Sequence, residues 1–211
     1  MKHVFTHNEH TKVYFVSDTH FSHLNILKYC KRPYRSIDEM DENLISNWNS
    51  LISNKDTVFH LGDIAFCNAD RLKEILNRLN GKIYLVLGNH DDFDTIEKVK
   101  DRFEAISPQM NIVVNSQKII MNHDPMLTYH GVYKKHPTWQ LFGHVHTTKF
   151  PNEGLDQARL QFLMSPQYDV GVDFNDYTPI DFEQLKEKMD YQIKNNVNML
   201  TWLNYEDSSN Q

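Results

Sequence analysis

WQLFGHVH, residues 139–146, is an apolar run that stops at a glycine and two histidines one residue apart. A short run of this kind reads as a buried strand ending at the margin of a sheet. Around such a junction alternate residues point the same way, so His144 and His146 are expected to look into one cavity. Gly143 lets the backbone come close to whatever fills it. Two neutral imidazoles on one side of a turn make half of a metal site. Hydrogen-bonded surface or core histidines explain such a pair equally well, so the reading turns on the rest of the chain.

Working outward, other runs share the design. KVYFV (12–16) runs into SDTH, TVFHL (57–61) into GD, KIYLVL (82–87) into GNHDD, and KIIM (118–121) into NHDP. With TWQLF (138–142), five expected strands deliver Asp, His or Asn at their C-terminal ends, where open α/β sheets keep their sites. Helical patterns lie between them. Residues 36–53 open with a capping box, Ser36 and Glu39, and carry Met40, Leu44, Trp48 and Leu51 on one face. Residues 70–80 place Leu72, Ile75, Leu76 and Leu79 on a stripe that stops at Gly81. Phe93, Ile96, Val99 and Phe103 mark a third helix, and Asp181 caps a fourth with Phe182, Leu185, Met189 and Ile193. YDVGVD (168–173) reads as a late strand, while 153–167 fits a strand or a helix. The pattern predicts one α/β domain over residues 1–203, with a frayed tail at 204–211.

Composition narrows the function classes. The 211 residues carry a net charge of −6, so no global basic field advertises nucleic acid or an anionic membrane. Two cysteines, Cys30 and Cys67, give neither a disulfide framework nor a cysteine-rich zinc motif, and a reducing, cytoplasmic setting is expected. No apolar run approaches the ~20 residues of a membrane span, and the first ten residues are too polar for a signal peptide. Twelve histidines are the compositional oddity. His3, His7 and His10 are expected to be exposed polar residues, and His60, inside TVFHL, a buried structural one.

Collected in order, the strand-end residues are Asp18, His20, Asp63, Asn89, His90, His123, His144 and His146. The blocks that hold them, SDTH, LGDI, LGNHD, MNHD and FGHVH, resemble the calcineurin-like metallophosphoesterase family over residues 13–146, in the family's order. YDVGVD is similar to its closing strand. The resemblance implies a four-layer α/β/β/α sandwich with two mixed central sheets. It implies that Asp18, His20, Asp63 and His146 hold a first divalent cation, and Asp63, Asn89, His123 and His144 a second, with Asp63 bridging. It implies hydrolysis of a phosphoester by a hydroxide bridging the two metals, with His90 facing the phosphate. Donors of this His/Asp/Asn mix suit Mn²⁺, Fe, Zn²⁺ or Ni²⁺, with Mn²⁺ expected to activate.

The chain also departs from the family's protein phosphatases. Phe66 stands where their GDxxDRG block has an acid, and Leu87 rather than Arg precedes Gly88. A phosphodiesterase of a small or nucleotide-type diester is therefore the first expectation. A phosphomonoesterase, a nuclease and a metal-binding scaffold without catalysis are the rivals. Asp91 serves either to orient His90 or to cap the following helix. The basic loop KYCKRPYR (28–35) is either a substrate rim or a solvated loop. Read as a rim, it offers Lys31, Arg32 and Arg35, with Tyr29 and Tyr34 as stacking rings. His23, Tyr129 and His130 complete the expected substrate contacts. Neither a membrane nor stably bound nucleic acid is expected as a partner, and oligomeric state is not legible.

Overall fold

The computed structural model describes residues 3–148 and 162–200. Its strands are β1 (His3–Phe5), β2 (Val13–Val16), β3 (Thr57–His60), β4 (Lys82–Val86), β5 (Phe103–Ser107), β6 (Gln109–Val114), β7 (Gln117–Asn122), β8 (Trp139–Phe142), β9 (Gln167–Asp169) and β10 (Ile180–Asp181). Its helices are α1 (Ile26–Tyr29), α2 (Ile37–Leu51), α3 (Ala69–Arg78), α4 (Phe93–Lys98) and α5 (Phe182–Asn195). All five strands expected to carry ligands are present, within a residue or so of their predicted ends.

The strands form two five-stranded mixed sheets, ordered β1-β6-β7-β8-β9 and β10-β2-β3-β4-β5. In the second sheet β2, β3, β4 and β5 run parallel, and β10 pairs antiparallel with β2. In the first, only β6 and β7 are antiparallel. Alternation along β2 shows how the layers are built. Val13 and Phe15 enter the core between the sheets with Ile119, Met121, Trp139 and Leu141. Tyr14 and Val16 face the other way, into a core made by α2, α3 and α4 with Leu44, Trp48, Ile75 and Ile96. The chain thus has the expected α/β fold: two mixed sheets face to face, with helices packed against them. A backbone bridge between Ser17 and Gly171 ties the end of β2 to the segment after β9, joining the sheets at the margin where the ligand blocks lie.

Four expectations change. The third helix does not reach Phe103: α4 ends at Lys98, and Phe103 begins β5, paired in parallel with β4. The 93-96-99-103 spacing is helical, but the free edge of β4 captures the residues beyond it. Asp92, not Asp91, caps α4 by accepting from Thr95 N–H. Ser36 caps α2, yet Glu39 accepts from Arg35 N–H at 2.7 Å, so only half of the box forms. A full box forms at Asp181 and Gln184. His7 is buried, with Nδ1 accepting from Val13 N–H at 3.0 Å, so it is part of the fold rather than an exposed polar residue. Residues 153–161 of the ambiguous segment and the expected tail lie outside the described residues.

Candidate metal centre

The ligand blocks leave their strands through backbone that most side chains avoid. Asp18, His20, Asp63, His144 and His146 all have positive φ, between 46° and 69°. Each such residue costs about 1 kcal/mol or more, and clusters of them persist where function and surrounding structure hold them. The conformation turns the chain sharply after β2, β3 and β8, so consecutive residues alternate between the site and the core. Thr19 and Val145, the residues between the paired ligands, are buried.

Two glycines let the loops close. Gly62 has φ +99°, and a Cβ there would collide with the backbone of Gly88. A Cβ on Gly143 would overlap Ser17 and the Asp18 carboxylate. The gap they leave is crossed by hydrogen bonds. Asp18 accepts from His144 N–H at 3.0 Å, and Asp63 accepts from His90 N–H at 2.9 Å.

Donor atoms converge in two groups, Asp18, His20 and His146, and Asp63, His123 and His144. His20 Nε2 lies 3.3 Å from His146 Nε2 and 3.5 Å from Asp63 Oδ2. His123 Nε2 lies 3.3 Å from Asp63 Oδ2 and 3.1 Å from Asn89 Oδ1, which is itself 2.9 Å from His144 Nδ1. Donors about 2.1 Å from one ion, at tetrahedral or octahedral angles, lie ~3.0–3.4 Å apart, so these spacings fit coordination. His144 and His146 both face this cluster but stand in different donor groups, one in each, as the resemblance implies. The left-handed turn at each sends His144 to one group and His146 to the other.

The protonation pattern supports the fit. His146 Nδ1 donates to Asp173 Oδ2 at 2.7 Å and His123 Nδ1 to Leu61 O at 2.7 Å, so both rings present Nε2 to the site. Burial works against charge on His123, yet Asp63 and Asp18 outweigh it and raise its pKa to about 9. His146 is likewise raised well above its ordinary value: Asp173, Cys30 and Asp18 overcome its burial. His20 is pushed well below by burial and by His146, so it stays neutral and its Nε2 accepts from His146. Its buried Nδ1 has no partner among the described residues.

Asp173 was not among the expected site residues, although it ends YDVGVD by the rule that picked the other blocks. Its carboxylate also takes Nε and Nη2 of Arg32, each at 2.9 Å. Arg32 is buried, and its remaining donors reach Thr19 O and Asp18 O. It therefore braces the Asp18–His20 turn from behind, and the expectation of a substrate contact is corrected. Cys30 stands beside His146 and Asp173 as a third cluster. With Asp173 already holding Arg32 and His146, that cluster supports the His146 ring.

Asp91 is corrected too. Its carboxylate accepts from Gly88, Ile64 and Asp63 N–H at 2.8–3.0 Å, clasping the two loops together instead of orienting the His90 ring. Tyr129 is buried and donates to Pro166 O, so the expectation of a substrate contact is corrected there as well. Lys31, Arg35 and His130 are exposed. His23 does stand at the site, 5.4 Å from His20 ring to ring. His60 is the structural residue expected: its Nε2 donates to Thr19 and its Nδ1 accepts from Gly62 N–H.

Residues 12–161 match the model of the calcineurin-like phosphoesterase superfamily domain. The chain belongs to the calcineurin-like phosphoesterase superfamily. It is 33% identical to an uncharacterized protein of Methanocaldococcus jannaschii, over 82% of this chain and 88% of that one. It is 24% identical to the gene 66 protein of Mycobacterium phage L5, over 65% of this chain and 78% of the other. A protein of unknown function from Aquifex aeolicus has a similar crystal structure, with a TM-score of 0.64 at 25% identity, covering 84% of this chain and 98% of that one. Calcineurin-like phosphoesterases are phosphoric ester hydrolases that generally bind divalent metals, and the two donor groups are candidates for holding them here. No helix among the described residues is long and apolar enough to cross a membrane.

Proposed function

We propose that this calcineurin-like phosphoesterase is a dinuclear metal-dependent phosphodiesterase, acting as one domain over residues 1–203 on a small or nucleotide-type diester. Asp18, His20, Asp63 and His146 would hold one divalent cation, and Asp63, Asn89, His123 and His144 the other. Bound there, the cations supply Lewis acidity toward the phosphoryl oxygens and lower the pKa of water. Mn²⁺ is the metal of choice, with Fe, Zn²⁺ and Ni²⁺ suited to the same donors. The free thiols of Cys30 and Cys67 accord with a reducing, cytoplasmic setting.

The chain's own residues divide the remaining work. His90 is exposed at the mouth, with its N–H on Asp63 and its ring 5.7 Å from that of His20. It is placed to stabilise charge on the phosphoryl group or protonate the departing oxygen. Asp91 and Arg32 keep the loops that carry these groups at fixed separation.

One observation favours the diester. Cavities of about 310 Å³ and 280 Å³ open on two sides of the cluster, one touching His90 and the other His144. Among the described residues, neither is lined by Lys or Arg. A monoester dianion gains from added cationic side chains, whereas a monoanionic diester needs room for two substituents. The test is hydrolysis of bis-p-nitrophenyl phosphate beside p-nitrophenyl phosphate by protein stripped of metal and reloaded with Mn²⁺. Metal-restored preference for the diester, lost in His90→Ala and Asp63→Ala, is expected. Preference for the monoester would install a phosphomonoesterase instead, and failure to bind metal would end the proposal.

A further inference from the structure

Phe66 occupies the loop after Asp63 and is 56% exposed. Its ring stacks on His23, with centroids 4.6 Å apart and planes 26° from parallel. The His90 ring stands nearly perpendicular to it, with centroids 6.4 Å apart. Tyr29, 59% exposed, meets His23 edge-on, with centroids 6.4 Å apart. His23 in turn touches the His20 ring. His20, His23, Phe66 and Tyr29 are thus linked by successive ring contacts, stacked at Phe66 and edge-on at His20 and Tyr29, into an aromatic floor that starts at the cluster of metal-type donors and ends in solvent. The loop places Phe66 over the cavity beside His90, whose walls include Ile64, Cys67 and Ile96.

Rings packed in a core need no ligand to explain them, but Phe66 and Tyr29 each keep more than half of their surface in water. A planar aromatic group stacks on such a face through dispersion and removal of apolar surface, without sequence-specific hydrogen bonds. In a 5′-nucleotide ester, one ribose separates the base from the phosphorus. Here two ring contacts separate the Phe66 face from His20.

We infer that the aromatic floor made by Phe66, His23 and Tyr29 is a subsite for a planar aromatic substituent of the phosphoester, of the nucleobase type. The inference rests on the phosphoester reading of the neighbouring donor cluster and adds a substrate class to it. Phe66 is then a specificity residue, and the position that departs from the protein-phosphatase block acquires a use.

The test compares adenosine 5′-monophosphate with ribose 5-phosphate, which share the phosphate and sugar and differ in the base. Both are titrated calorimetrically into the full chain loaded with Mn²⁺. Stacking of one base on an aromatic side chain predicts about 5- to 150-fold tighter binding of the nucleotide. In Phe66→Ala the ratio of the two affinities falls toward one, and in Phe66→Trp the preference returns. Equal affinities in the unaltered protein, or a preference that survives Phe66→Ala, would overturn the subsite. Binding requires no turnover, so the two readings fail separately. A base preference without diester cleavage leaves the subsite standing, and diester cleavage without a base preference removes only the subsite.

Discussion

The Nδ1 of His146 and the Oδ2 of Asp173 lie 2.7 Å apart, and the same carboxylate grips the buried guanidinium of Arg32 with both oxygens. Burial opposes charge on Asp173, but Arg32 and His146 overcome it and hold the carboxyl well below the usual carboxylate range. One carboxylate therefore sets the tautomer of a candidate metal ligand and anchors the arginine that braces Asp18. The site is held from behind by a buried charged network.

Because Asp173 aims His146, weakening its charge should weaken metal binding. Asp173→Asn is expected to lose about 10–100-fold in Mn²⁺ affinity, the usual effect of removing the partner of a metal-bound histidine. Titration with Mn²⁺, alongside circular dichroism to confirm the fold, checks this. Unchanged affinity would show that His146 is oriented by packing alone.

Arg32 separates a structural role from a substrate role. Arg32→Ala leaves Asp173 buried without its cation and should destabilise the metal-free protein by about 3–5 kcal/mol in urea unfolding. Arg32→Lys should recover only part of this, since an ammonium cannot make the two-point contact. A variant with unchanged stability and a raised KM would return Arg32 to the substrate rim.

Asp91 and His90 are neighbours with opposite expectations. Asp91→Asn offers one carbonyl oxygen where three N–H groups converge, and it should lower stability by about 1.5–3 kcal/mol. His90 is exposed, so His90→Ala should change stability by less than about 0.5 kcal/mol while reducing kcat about 10²–10⁴-fold. Thermal denaturation and steady-state kinetics on the same two proteins distinguish these effects. Equal losses of stability would merge the two roles.

His60 predicts an acid sensitivity. Burial lowers its pKa from 6.5 to about 3, so below pH 6.5 the unfolded chain takes up a proton that the folded one refuses. Stability from this residue is complete above pH 6.5 and is lost as pH falls toward 3, by up to about 1.4 kcal/mol per pH unit. His60→Gln should flatten that part of the profile relative to the unaltered chain, measured by urea unfolding of metal-free protein between pH 4 and 8. Parallel profiles would mean that His60 carries no proton linkage.

Much of this was legible in the residues. Short Val/Ile/Phe-rich runs stopping at Gly, Asp, Asn or His announce buried parallel strands, because such runs must be covered on both faces and must end where polar groups can be satisfied. The five strands and the candidate ligands at their ends follow from that local rule, as do the caps at Ser36 and Asp181. Phe103 and His7 were misread because a free sheet edge and a loop packed over a core are settled by partners far along the chain. The same holds at the site. Arg32 is 141 residues from Asp173, and nothing local distinguishes a basic loop that meets substrate from one whose central arginine is buried. The tertiary structure also decided that Asp91 clasps two loops and that Phe66 lies open beside His90. Residue type and spacing determine which donors can leave a strand end. Only the closing of distant loops determines which way each one turns and what stands behind it.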